Sequence, residues 1–161
     1  MDDTSFIIGL MKTETDALGF IPSTAIQSRW IPKGHYIIQK DSRGKRRGYL
    51  LYGPPKAGRD LHVNQVCIEY DQRLRGFAFL AVRELINIAH DADCAAITLR
   101  CASTLPANWF WMAIGFQLIG ITAGGLRRGR TISTYRLDLR KVGSIHHPPH
   151  KFRLTRVSRV G

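Results

Sequence analysis

The chain lacks any apolar run long enough to cross a bilayer. Its longest such stretches, FIIGLM and FAFLAV, reach about a third of the ~20 residues a spanning helix needs. It also lacks the basic opening of a secretory leader: the first residues are MDD and no small-residue cleavage site follows, so none is expected. Cysteine is sparse and odd in number. Cys67, Cys94 and Cys101 show no C-x-x-C spacing and lie in or beside apolar segments. That predicts buried free thiols in a reducing compartment, the cytoplasm by default. Negative charge is in short supply, with 12 Asp and Glu against 24 Lys and Arg, a formal net charge of +12. Such a balance attracts polyanions or anionic ligands and says nothing about fold.

What is present fits one globular domain. A chain of 161 residues, 44% hydrophobic and 22% charged, can bury a single sizeable core. Basic residues gather at 43–47 (RGKRR), at 127–130 (RRGR) and through the end of the chain from Arg140 to Arg159. No internal repeat is visible. The domain is expected over 1–141, with 142–161 a flexible basic tail. The tail histidines His146, His147 and His150 have no acidic or thiol companion, and Pro148 and Pro149 forbid a helical pair. No metal site is expected there.

The periodicities predict mixed elements. Residues 4–11 read as a short strand start, followed by two short helices in KTETDALGF and PSTAIQSRW. HYIIQ and GYLLYG make a hairpin around DSRGKRR. Another strand covers 61–70, and 75–91 is the best helix, with Phe79, Val82, Leu85, Ile86 and Ala89 on one stripe. A short buried strand at 95–101 precedes a helix opened by Pro106 and ended by Gly115. Strands at 117–123 and 131–139 close the domain around the basic loop GGLRRGR. The alternation predicts an α/β fold with central parallel strands and antiparallel pieces outside. GPPKAGRD, at 53–60, has the glycine spacing of a nucleotide-binding loop. It lacks the magnesium-binding hydroxyl and leads into a strand, so it reads as a turn.

The segment RLRGFA, at 73–78, joins the strand to the best helix. Such a loop presents free helix N-terminal amides, which together with the helix dipole suit a phosphate. Gly76 and Ala78 leave room for close approach, and Arg73 and Arg75 add charge. A basic first turn opposes the dipole preference for acids, a conflict that an anion site resolves.

The segment IEYDQRLRGFAFLAVREL resembles the acyl-CoA-binding segment of the GNAT superfamily of N-acetyltransferases: a strand, then [QR]-x-x-G-x-[GA], then a long helix. RCASTLPANWFWMAIGF resembles that superfamily's next strand and helix, with Trp111 followed by Gly115 and Phe116. The resemblance spans roughly residues 5–140. It implies a single-domain GNAT-like mixed, mostly antiparallel sheet flanked by helices, and acetyl-CoA or another acyl-CoA as cofactor. The pyrophosphate would rest on the amides of Arg73, Leu74, Arg75, Gly76, Phe77 and Ala78, and the pantetheine arm along Val66, Cys67 and Ile68. Thr104, Asn108 and Trp111 fall at cofactor-side positions of the second segment. The usual glutamate base falls near His62, with Asn64 on the same strand face and Glu69 as a further candidate. The helix tyrosine that often protonates the leaving thiolate is Trp111 here, and indole cannot serve as that acid. Arg127, Arg128 and Arg130 would face the substrate side. The resemblance implies an N-acyltransferase in which an amine attacks directly in a ternary complex. A nucleic-acid-directed relative, modifying a DNA base or tRNA, and an inactive nucleic-acid-binding relative remain alternatives. Strand edges in such folds commonly pair between subunits, so a homodimer is also open.

Overall fold

The computed structural model describes residues 1–125 and 129–142. The expected tail beyond Val142, and Arg127 and Arg128 of the basic loop, therefore lie outside the described residues. No helix among those described is long and apolar enough to cross a membrane.

The first departure from the sequence reading is at the N-terminus. The expected strand start at 4–11 is helix α1 (Asp3–Thr13), capped by Asp2, whose carboxylate accepts the Ser5 amide at 2.7 Å. Asp3 lies in its first turn and Lys12 in its last, both favourable to the helix dipole. A short run such as FIIGLM fits strand and helix equally by periodicity. The cap and the burial of Phe6, Ile7 and Met11 on one side decide for helix. KTETDALGF forms turns rather than a helix, with the Ala17 and Leu18 amides both donating to the Glu14 carbonyl. The second predicted helix is α2 (Ser23–Ala25), which continues as a π-helical turn, Ile26–Trp30.

The remaining order follows the expectation. Strands β1 (Tyr36–Lys40) and β2 (Arg46–Tyr52) form the hairpin, its turn held by Asp41 accepting the Arg43 and Lys45 amides. Then come β3 (Asp60–Ile68), helix α3 (Phe77–Asp91), β4 (Ala96–Ala102), helix α4 (Ala107–Ala113), β5 (Gln117–Ala123) and β6 (Thr131–Asp138). The GPPKAGRD segment is a turn-containing loop. Six strands pair in the order β1-β2-β3-β4-β6-β5, antiparallel everywhere except β3 against β4. That single parallel junction is where α3 crosses over, as a parallel pair requires.

Two cores lie on opposite faces of the sheet. Ala81, Val82, Leu85, Ile86 and Ala89 of α3 pack on Leu61, Val63, Ile97 and Leu99. Full burial of each large member contributes about 1.5–3 kcal/mol. Phe6, Ile7 and Met11 of α1, with Ile26, cover Tyr49, Leu51 and Cys67 on the other face. Val142 packs on the α3 side, and its carbonyl lies 2.8 Å from the His90 ring.

Candidate active site

One irregularity in β3 shapes the site. Leu51 of β2 pairs with Gln65 and Tyr52 with Val63, so Asn64 has no partner. This is a β-bulge, an extra residue that bends its strand and shifts the side-chain alternation. Accordingly Val63 before it and Val66 after it both face α3, although they are three positions apart and regular alternation would put them on opposite faces. The pairing of β3 with β4 stops at Val63–Leu99, immediately before the bulge. Beyond that point both strands continue, β3 to Ile68 and β4 to Ala102, without pairing to each other. A wedge opens between them.

The wedge exposes a usable strand edge. The Glu69 amide donates to the Arg47 carbonyl at 2.9 Å, so alternation makes Tyr49–Cys67 and Leu51–Gln65 the hydrogen-bonded pairs. Cys67 therefore turns its backbone to β2, while the amides of Val66 and Ile68 and the Val66 carbonyl turn into the wedge. The Cys67 side chain lies in the α1 core, where burial pushes its thiol up to about 12. All three cysteines are free and buried. Of the expected stretch Val66 to Ile68, only the first and third residues can pair with a ligand through the backbone on this edge.

The mouth of the wedge is the loop before α3. Among the described residues, none accepts from the amides of Leu74, Arg75, Gly76, Phe77 or Ala78. Gly76 caps α3 at φ 89°, in the left-handed region that favours glycine. Leu74 adopts φ 60° with its side chain 86% exposed, a strained conformation for a non-glycine residue. The two arginines divide their work. Arg73 turns back: its Nη2 is 2.7 Å from Glu14, its Nε donates to the Ile68 carbonyl at 3.3 Å, and its guanidinium lies over Tyr70. Among the described residues Arg75 bonds only the neutral Gln72, at 2.9 Å, so no described carboxylate takes up its charge at the mouth.

The throat, where the strands part, carries the candidate base. His62 Nδ1 lies 3.3 Å from Thr98 Oγ1, its register partner on β4. Burial, then the Arg100 charge, lowers the His62 pKa from its ordinary 6.5. Asn64 is exposed; its Oδ1 and the His62 Cβ both lie about 4.0 Å from where a Gly53 Cβ would stand. The structure thus brings His62 and Asn64 together. It does not bring Glu69 to them: that carboxylate is 3.0 Å from Arg47, which also holds Asp41.

The second segment braces the fold. Asn108 is 8% exposed. Its amide donates to the carbonyls of Ala102 at 2.8 Å and Leu105 at 2.7 Å, and its oxygen accepts from the Tyr135 hydroxyl at 2.7 Å. Trp111 is buried edge-on to Phe110 and Phe116. Thr104 is exposed in the turn before α4, and Arg130 is half-buried at the start of β6. Sequence reasoning missed Thr98, which needs the parallel register to be found. It also missed Arg100, a lone charge within the apolar strand AITLRCA.

No protein-family model matches the chain, and no curated protein matches it. Solved structures do. Ard1 from Thermoplasma volcanium superposes with a TM-score of 0.71 at 11% identity, over 85% of this chain and 93% of that one. A GCN5-related N-acetyltransferase from Kribbella flavida gives 0.70 at 17% identity, over 86% and 94%. An aminoglycoside 6'-N-acetyltransferase, solved with coenzyme A, gives 0.69 at 11% identity, over 91% and 93%. With the splayed parallel pair and the mixed, mostly antiparallel sheet, these likenesses establish the architecture: the chain has the fold of the GNAT-family acetyltransferases.

Proposed function

We propose that the chain is an acyl-CoA-dependent N-acyltransferase. The observation that carries this reading is the wedge itself: an unpaired strand edge leads to a helix N-terminus with five consecutive free amides. An elongated ligand with a pairing arm and a pyrophosphate matches both ends. The Leu74–Ala78 amides and Arg75 would hold the pyrophosphate. Val66 and Ile68 would pair with the arm, and an amide of this edge would polarise the acyl carbonyl. Acyl-CoA would supply a thioester: the amine nitrogen bonds to the acyl carbon, the carbon–sulfur bond breaks, and the thiol departs carrying one proton.

His62 takes the proton that the amine loses. With Nδ1–H donating to Thr98, its Nε2 keeps a lone pair for the amine. Its lowered pKa keeps it neutral at and above pH 6.5. Asn64, beside it on the wedge lip, positions the acceptor. Trp111 is enclosed by aromatic packing and plays no acid role, so the thiolate draws its proton from water or from His62.

Two measurements test this. Acetyl-CoA should raise the melting temperature in a concentration-dependent way, by about 2.7 kcal/mol of stabilisation at a hundredfold excess over Kd; no shift at millimolar ligand rejects the cofactor assignment. With an accepted amine, kcat/KM should fall as pH drops through the His62 pKa, which lies below 6.5. His62→Gln should lower kcat by about 10²–10⁴-fold and erase that limb. An unchanged profile removes His62 from the mechanism.

A further inference from the structure

Among the described residues, no helix covers the sheet face beyond α1, and this face collects features the acyl-transfer reading leaves unused. His62, Thr98 and Arg100 share it by register, with Thr134 opposite Arg100 and Arg136 opposite Thr98. Arg136 is neutralised by Asp60, with contacts of 3.2 and 3.3 Å. Arg100 is exposed and makes no ion pair or hydrogen bond among the described residues. On the β3 lip, the loop between α1 and α2 packs Leu18 and Ile21 into the α1 core and is tied to the strand at Gly19: the Gln65 amide donates to the Gly19 carbonyl at 2.6 Å, and Gln65 in turn accepts from Tyr49. The next residue, Phe20, is 87% exposed. Gln65 directly follows the bulged Asn64, so the pinned loop brings an unpacked aromatic ring to one lip of the throat and an unpaired arginine to the other.

Exposed aromatic rings and guanidinium groups are the side chains that hold single-stranded nucleic acid: bases stack on the rings and phosphates meet the charge. The chain's formal charge of +12 supplies the long-range attraction. The throat opens onto the sheet face that carries Thr98 and Arg100. We propose that the acceptor amine belongs to an unpaired nucleotide of DNA or RNA, its base stacked on Phe20 and its phosphate held by Arg100. This rests on the acyltransferase reading. An exocyclic base amine is uncharged at neutral pH. It bonds to the acyl carbon as the carbon–sulfur bond breaks, its lost proton passes to His62, and the thiolate is protonated on leaving.

The test uses the full chain and a labelled twelve-nucleotide strand, prepared as DNA, as RNA and as a duplex. Either single strand should bind at least tenfold more tightly than the duplex, and the tighter of the two identifies the acceptor. Phe20→Ala and Arg100→Gln should each weaken single-strand binding about tenfold or more; both positions are exposed, so both variants should fold. Unchanged affinity in either variant overturns the proposal, as does equal binding of duplex and single strand. Competition by polyglutamate as effective as that by the oligonucleotide also overturns it, since charge alone would then explain binding. Acetyl-CoA stabilisation is read on the same samples. Its absence from the wild type would reject the acyltransferase reading, while the strand-binding arms still decide the surface.

Discussion

Gly76→Val is expected to weaken acetyl-CoA binding at least a hundredfold while leaving a folded protein. Gly76 sits at φ 89° as the first residue of the α3 cap. A β-branched residue is strained there by about 1–3 kcal/mol. Packing is not the obstacle, because a Cβ at this position would meet nothing within 4 Å. The variant can keep the backbone and bear the strain, or relax φ and turn the amides of Gly76, Phe77 and Ala78 away from their common direction. In the first case the side chain stands where a phosphate must approach; in the second the donors no longer converge. Thermal melts should show a drop of about 2–12 °C, from about 2–4 °C per kcal/mol in a chain of this size. Titration calorimetry should show the lost affinity. Gly76→Ala carries a similar backbone penalty with less bulk, so it should lose comparable stability and retain more binding. Near-normal affinity in a folded valine variant would remove this loop from the cofactor site.

The second large effect lies in the brace beneath α4. Asn108→Leu keeps the volume but removes the side-chain bonds to the Ala102 and Leu105 carbonyls, which keep the Leu105 and Asn108 backbone amides, and leaves the Tyr135 hydroxyl without its partner. The orphaned hydroxyl costs about 1–3 kcal/mol and each lost carbonyl bond about 0.5–1.5 kcal/mol, so the substitution should destabilise by about 2–5 kcal/mol and lower the melting temperature by about 10 °C. Adding Tyr135→Phe removes one orphan, and the double variant should be more stable than the sum of the singles predicts. Strict additivity would show that the hydroxyl and Asn108 do not communicate. The experiment also separates two roles. A residue that mainly contacts cofactor would change acetyl-CoA affinity with little change in stability, whereas the buried brace does the reverse.

These residues show how far the sequence could be read. Helix α3 was legible because its apolar positions recur at helical spacing over fifteen residues, long enough for periodicity to exclude a strand. The hairpin was legible from polar turn residues between two β-rich runs. Helix α1 was not, because six apolar residues carry no decisive period, and its evidence lay in the Asp2 cap and the sheet it covers. The loop before α3 was visible as RLRGFA, but the division of labour between its arginines was not. Arg73 is drawn off by Glu14, a residue 59 positions earlier, and only folding brings the two within reach.

Local chemistry in the sequence determined where strands and helices alternate, that Gly76 opens a helix after a strand, and that positive charge dominates. Those properties depend on near neighbours and on composition. The tertiary structure decided the wedge. A bulge at Asn64 is a mismatch between two strands, so no single strand encodes it visibly, and the parallel register sets His62 against Thr98 with Arg100 on the same face. Pairing across the sheet, with α1 covering only part of one face, turns an ordinary β3 into an open edge beside a histidine.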